Sequence, residues 1–208
     1  MSRWISPTGR EMAPDALPDP IAVASLVAGC LARIGVEYVI GESFASSVHG
    51  EPRSTNDVDL VADLTEDGVH GFVDAMGTSF YVSRDAVLEA IRGGGAFNVI
   101  HTPTAVKVDI FVAGSDAFDG ARLRRKMPVT FSSGTDLATL FVDTAENTIV
   151  RKLEWYRRGG EMSERQWRDV IGIVNAQSSR LDHAYMRDWA DELGVADLLE
   201  RVLDPPGD

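Results

Sequence analysis

The strongest constraint on how this chain can fold is a pair of short apolar segments that carry carboxylates at alternating positions. In Asn56-Asp-Val-Asp-Leu-Val the acids are Asp57 and Asp59, and in Lys107-Val-Asp-Ile-Phe-Val the acid is Asp109. Alternate side chains of a strand share a face, so Asp57 and Asp59 project to one side while Val58, Leu60 and Ala62 project to the other. Asp109 repeats the arrangement against Val108, Ile110 and Val112. One strand aspartate reads as a solvated position. Three of them on two segments rich in Val and Leu read as a site, because Asp is disfavoured in strands. Carboxylates about 4 Å apart repel by roughly 4 kcal/mol at an effective dielectric near 20, so such a cluster normally requires a cation. Oxygen-only ligation of that kind suits Mg²⁺, held by a few carboxylates together with substrate phosphates.

Other hydrolytic and phosphate-handling chemistries lack their residues. There is no Gly-x-Ser-x-Gly elbow and no Gly-Lys-Ser/Thr loop, which removes the serine-hydrolase and P-loop readings. A metal-dependent phosphoesterase commonly recruits histidines, and none of His49, His70, His101 or His183 lies beside the aspartates in sequence. The Gly93-Gly-Gly run does not join a strand to a helix as a dinucleotide fingerprint does, and reads as a loop.

A length of 208 residues suits one sizeable domain, or one domain with a helical appendage. The net charge of -12 argues against a dedicated nucleic-acid binder, which presents a basic face. A single cysteine, Cys30, excludes an intramolecular disulfide and a multi-cysteine zinc site, and fits a reducing cytoplasm. Leu26-Val-Ala-Gly-Cys30 has the look of a lipoprotein cleavage site, but Glu11, Asp15 and Asp19 precede it where a signal peptide has a basic leader. No apolar run reaches the ~20 residues that span a bilayer.

Along the chain, residues 1–18 read as an irregular arm. A helix follows over 21–35, with Asp19 at its N-cap, Pro20 at its first position and Gly35 as its stop. Next come a buried strand over 36–41, a short helical segment over 44–49, a loop over 50–55 and the aspartate strand over 57–62. Thr65 caps a helix that ends at Gly77. Ser83 caps one that ends at the triple glycine, and the segments 97–101 and 106–112 form a hairpin that carries Asp109. After about residue 135 the pattern turns helical, with helices over 145–158, from a capping box at Ser163 through Val174, over 181–193 and over 195–203. The fold class is therefore α/β (α+β), and two units are expected: a core over 1–135 and a C-terminal helical subdomain over 136–208.

The order of these pieces resembles the nucleotidyltransferase superfamily, and within it the abortive-infection (AbiEii-like) branch. The residues that carry the resemblance are Val39-Ile-Gly-Glu-Ser-Phe-Ala-Ser-Ser-Val-His-Gly-Glu-Pro-Arg-Ser-Thr-Asn-Asp-Val-Asp-Leu, Val108-Asp-Ile-Phe, and Glu146-Asn-Thr-Ile-Val-Arg-Lys-Leu followed by Trp167-Arg-Asp. It implies a mixed sheet with flanking helices. It also implies transfer of a nucleoside monophosphate from a nucleoside triphosphate such as ATP, with two Mg²⁺ ions as cofactors. By this likeness Asp57 and Asp59 bind the ions that bridge the triphosphate, and Asp109 binds the ion beside the attacking hydroxyl. Gly41 and Ser43 approach the β- or γ-phosphate at the start of the short helix, while Arg53 and Lys152 are basic positions able to reach the triphosphate.

The family pattern has glycine directly before the serine, whereas here Glu42 stands there and the glycine is Gly41. A carboxylate aimed at phosphate repels it, so Glu42→Gly is expected to tighten binding of Mg·NTP in calorimetry. The acceptor is open. Arg122, Arg124, Arg125 and Lys126 offer a basic patch for RNA or a protein partner, while the acidic balance favours a small cationic acceptor such as an aminoglycoside. The alternative to an enzyme is a catalytically degenerate nucleotide-binding module, or one half of a toxin–antitoxin pair.

Overall fold

The computed structural model describes residues 4–5, 11–12, 19–50, 58–114, 117–133 and 136–204. Among them are β1 (Trp4–Ile5), β2 (Glu11–Met12), α1 (Asp19–Arg33), β3 (Tyr38–Ile40), α2 (Glu42–His49), β4 (Val58–Ala62), α3 (Val69–Met76), β5 (Phe80–Tyr81) and α4 (Arg84–Gly93). The hairpin β6 (Ala96–His101) and β7 (Val106–Val112) follows, then α5 (Ala117–Arg125) and a second hairpin, β8 (Met127–Ser133) and β9 (Asp136–Val142). Four helices complete the chain: α6 (Ala145–Arg158), α7 (Glu164–Gln177), α8 (His183–Glu192) and α9 (Ala196–Leu203).

The strands form one mixed sheet in the order β2-β1-β8-β9-β3-β4-β7-β6-β5. Its centre is parallel where β4 meets β7 and where β3 meets β9, and antiparallel where β3 meets β4. The period-2 pattern of the two aspartate strands sets their faces. Val58, Leu60, Ala62, Val108, Ile110 and Val112 are all buried in one apolar core, which α1, α3 and α4 cover with Val27, Leu31, Phe72 and Val87. Each such side chain contributes about 1.5–3 kcal/mol when fully removed from water. A one-residue slip of β4 or β7 would turn a row of these residues to the opposite face, so the core fixes which way the aspartates point.

The C-terminal helices α6 and α7 pack against α2, and the opposite face of the sheet looks onto α5 and α6 across a cleft. A second cluster of buried apolar residues, including Phe118 of α5, Ile149 and Leu153 of α6, Ile173 of α7, Met186 of α8 and Leu198 of α9, holds those helices together. Side-chain caps start four of the described helices, among them the two expected at Ser83 and Ser163 and one in which Asp182 accepts from Tyr185 N–H. Ser83 accepts from Ala86 N–H, Thr144 from Asn147 N–H and Ser163 from Gln166 N–H, each satisfying a donor that the first turn leaves without a partner.

Three stretches differ from the sequence reading. Residues 4–5 and 11–12 of the arm pair with each other at the edge of the sheet, and residues 4–5 also pair with β8. Thr65 makes no side-chain cap, and a turn of 3₁₀ helix over Glu66–Gly68 leads into α3 instead. Residues 127–142 are an antiparallel hairpin at the sheet's interior, so the helical character begins at α6 rather than near residue 135. Leu140 and Val142 face the first apolar core, and this long-range burial outweighs the helix propensity of Leu137-Ala-Thr-Leu.

Candidate active site

Asp59 and Asp109 are direct partners in the parallel register of β4 and β7. Neighbouring strands lie about 4.8 Å apart, so the two carboxylates start from adjacent backbone positions on one face of the sheet. At about 5 Å and an effective dielectric near 20, two such charges repel by roughly 3 kcal/mol. Asp109 Oδ2 is 2.6 Å from the ammonium of Lys107, and its Oδ1 accepts from the amide of Asn98, the residue opposite on β6, at 3.4 Å. Asp57 and Arg53 lie outside the described residues, and among those described no group of three potential ligands is assembled. Two in-register carboxylates are a donor set suited to a hard cation that completes its shell with water or phosphate oxygens.

The turn from β3 into α2 borders this pair. Gly41 N–H donates to the carbonyl oxygen of Asp59 at 3.1 Å, which ties the start of α2 to the aspartate strand. Gly41 has extended backbone angles, φ -115° and ψ -161°, that any residue adopts, so strain does not explain the glycine there. Space does: a Cβ on residue 41 would lie 2.6 Å from Arg122 Nη2. Ser43 is half-buried in the first turn of α2, where its carbonyl accepts from Ser47 Oγ at 3.1 Å. Of Glu42 only the backbone is described, as the first residue of that helix.

Arg122 is the residue that the sequence reading placed least well. It is 3% exposed, so it is no part of a surface patch. Its Nε donates to Asp143 Oδ2 at 2.7 Å, its Nη1 to Asp119 Oδ1 at 2.9 Å, and its remaining nitrogen lies against Gly41. Arg151 Nη2 also donates to Asp119 Oδ1, at 2.7 Å, and Arg151 Nη1 donates to Glu154. Two other members of the basic run make contacts nearer the surface: Arg125 lies 3.8 Å over the Tyr185 ring, and Lys126 pairs with Glu37. Arg124 is exposed.

A cleft opens between the sheet and α5 and α6, lined by Asp59, Phe111, Asp119, Arg122, Arg151 and Trp155 along with Gly41. Lys152 does not line it. Its ammonium is buried and pairs with Asp169 on α7 at 2.9 Å. One residue is about 100° of helix rotation, which is enough to give Arg151 to the cleft and Lys152 to the neighbouring helix. The sequence signal for Arg151 is its place about two turns after the Thr144 cap, but the phase of α6 becomes known only with its partners.

His49 closes the far end of α2. Its Nε2 donates to the Asp143 carbonyl oxygen at 2.6 Å, and its own carbonyl accepts from Gln177 Nε2 at 2.8 Å. Burial lowers its pKa, opposed in part by the bond to the Asp143 carbonyl and by the charges of Asp143 and Glu146. The folded protein thus disfavours a proton that the unfolded chain accepts near pH 6.5. The stabilisation is full above that value and is lost as pH falls through it towards the lowered folded pKa. The Tm is expected to drop between pH 7.5 and 5.5, with a shallower drop in His49→Gln. An equal slope in both proteins would assign the loss to other groups.

No family model and no curated protein matches the sequence. Solved structures do. The chain is similar to an antigenic nucleotidyltransferase-like protein from Paracoccidioides brasiliensis, with 18% identity, a TM-score of 0.56 and coverage of 93% of this chain and 92% of that one. It superposes more loosely on the antibiotic-resistance factor ANT(2'')-Ia, at 11% identity and a TM-score of 0.46 over 88% and 92% of the two chains. The Thermotoga maritima CCA-adding enzyme complexed with tRNA gives 11% identity and a TM-score of 0.36 over 92% of this chain and 49% of that one. The last two superpositions are too loose to bear on this chain's chemistry. The first speaks for the fold: the mixed sheet, with helices on both faces, is nucleotidyltransferase-like.

Proposed function

We propose that this chain is a nucleotidyltransferase that moves a nucleoside monophosphate from a nucleoside triphosphate to a hydroxyl or phosphate acceptor and releases pyrophosphate. The observation that carries the reading is the in-register pairing of Asp59 with Asp109 on adjacent parallel strands, beside the turn into α2. Asp57, Asp59 and Asp109 would hold Mg²⁺, which when bound neutralises charge on the phosphates and lowers the pKa of an attacking hydroxyl. The chain's own groups bind and orient. The positive end of α2, near Ser43, suits phosphate oxygens. Arg53 contributes a further positive charge, and Lys152 holds α6 against α7 so that Arg151 faces the cleft. In the transfer the acceptor oxygen bonds to the α-phosphorus, the bond to the β-phosphate oxygen breaks, and the acceptor's proton leaves to solvent or a carboxylate.

Within the superfamily we place the chain in the abortive-infection branch, on the residues from Val39 to Leu60, with toxin activity in the cytoplasm as the corresponding role. Among the described residues no helix is long and apolar enough to cross a membrane. Units over 1–135 and 136–208 belong to the proposal; the two apolar clusters divide the chain elsewhere, with Leu140 and Val142 in the first and Phe118 and Ala121 in the second. ATP is the first triphosphate to test. The decisive trial incubates the protein with Mg²⁺, each labelled triphosphate, and cell RNA or lysate. Label on an acceptor is expected, and ribonuclease treatment separates an RNA acceptor from a protein or small molecule.

A second reading is a nucleotide-binding or toxin–antitoxin interaction module without turnover. It is favoured by the packing of Arg122 on Gly41, which gives that glycine a structural purpose independent of phosphate. Label transfer discriminates this reading from the enzyme, and Glu42→Gly tests the phosphate site that any nucleotide binder would use: tighter binding of Mg·NTP in calorimetry is expected if phosphate approaches the start of α2. Unchanged affinity means that it does not.

A further inference from the structure

Asp109 already has a cation beside it. Lys107 lies two residues earlier on β7 and therefore on the same face, and its Nζ is 2.6 Å from Asp109 Oδ2. With Asn98 donating to Oδ1 from β6, both oxygens of this carboxylate face protein donors. The Lys107 side chain is 45% exposed and that of Asp109 23%, so the pair sits at the open rim of the sheet face rather than in the core. A lysine ammonium is a compact point charge on a flexible stem. Here it neutralises the Asp109 carboxylate from one side.

Resting on the nucleotidyltransferase reading, we propose that Lys107 is the resident counter-ion of Asp109 and occupies the acceptor-side cation position. The chain then takes up one divalent ion with its nucleoside triphosphate, and a second only when Lys107 is removed. An ammonium in hydrogen-bond contact with Oδ2 and a divalent ion on the same oxygen would lie within a few ångströms of each other. Their repulsion must be overcome before a second ion can bind. The first ion arrives on the triphosphate, whose negative charge offsets that repulsion. Lys107 thereby sets how many ions the site holds and at what divalent concentration Asp109 is engaged by metal.

The test counts Mn²⁺ bound to the full chain by electron paramagnetic resonance, in the presence of a non-hydrolysable ATP analogue. The proteins compared are the wild type, Lys107→Met, Lys107→Gln, Asp59→Asn and the double variant Lys107→Met/Asp109→Asn. One ion per chain is expected for the wild type and two for either Lys107 variant, with affinity for the second ion raised by at least about tenfold. Addition of Asp109→Asn should return the count to one. Two ions of similar affinity on the wild type, or a single ion on both Lys107 variants, would overturn the assignment of Lys107 while leaving the nucleotidyltransferase reading in place. If Asp59→Asn binds Mn²⁺ as the wild type does, or if the analogue promotes no Mn²⁺ binding in any protein, that reading falls and the role of Lys107 falls with it.

Discussion

Arg122→Met is expected to lower the unfolding free energy by about 3–5 kcal/mol, the usual cost of removing one member of a buried ion pair. Arg122 is 3% exposed and its partner Asp143 fully buried, so methionine would leave a carboxylate with no solvent and no cation to replace the guanidinium. Asp143 is already short of partners, since its Oδ1 has no hydrogen bond among the described residues. Asp119 suffers less, because Arg151 still reaches it. The loss is large against the 5–15 kcal/mol typical of a folded domain. It should be read as a shift of the urea midpoint at unchanged m-value. The double variant Arg122→Met/Asp143→Asn removes the stranded charge and is expected to recover a good part of the loss. A single-variant cost below about 1 kcal/mol would place Arg122 among exposed pairs, contrary to its burial.

Asp59→Asn is expected to abolish nucleotidyl transfer while sparing the fold. Outer-shell partners of a bound metal ion are worth about 10–100-fold each when removed, so a direct ligand should cost about a hundredfold or more in kcat/KM. The stability change should be small or favourable, because the substitution removes a like charge from beside Asp109 and leaves the buried row of Val58, Leu60 and Ala62 intact. Loss of activity with retained Tm distinguishes a carboxylate kept for chemistry from one kept for structure. Loss of both would mean that Asp59 serves the fold.

The parts of this architecture that repeat a local rule were legible in the sequence. The hairpin of β6 and β7, the caps at Ser83 and Ser163, and the strand that bears Asp59 all follow from side-chain periodicity or from a hydroxyl placed three residues ahead of an N–H that the helix leaves unused. The pairing of β4 with β7 is not of this class, because an apolar face calls for burial without naming the neighbouring strand. Arg122 was illegible as well. Four basic residues within five positions have the pattern of a solvated helix face, and only the fold brings Asp143, from the end of β9, to the one member that turns inward. The hairpin of β8 and β9 was hidden because Asp136-Leu-Ala-Thr-Leu-Phe-Val suits a strand or a helix alike until Leu140 and Val142 find the sheet's core. Lys152 and Arg151 differ by a single helical step, which propensity cannot resolve. Gly41, read as a phosphate contact, has its visible reason in the guanidinium packed against it.

The most direct test of nucleotidyl transfer at the Asp59–Asp109 pair follows two labels separately. The full chain is incubated with Mg²⁺, cell RNA or lysate, and ATP labelled at either the α- or the γ-phosphate, with Asp59→Asn and Asp109→Asn alongside. Covalent transfer of the α-label to an acceptor, release of the γ-label as pyrophosphate and loss of both events in the two variants are the expected result. Transfer of the γ-label to the acceptor, or α-label transfer undiminished in both variants, would contradict it.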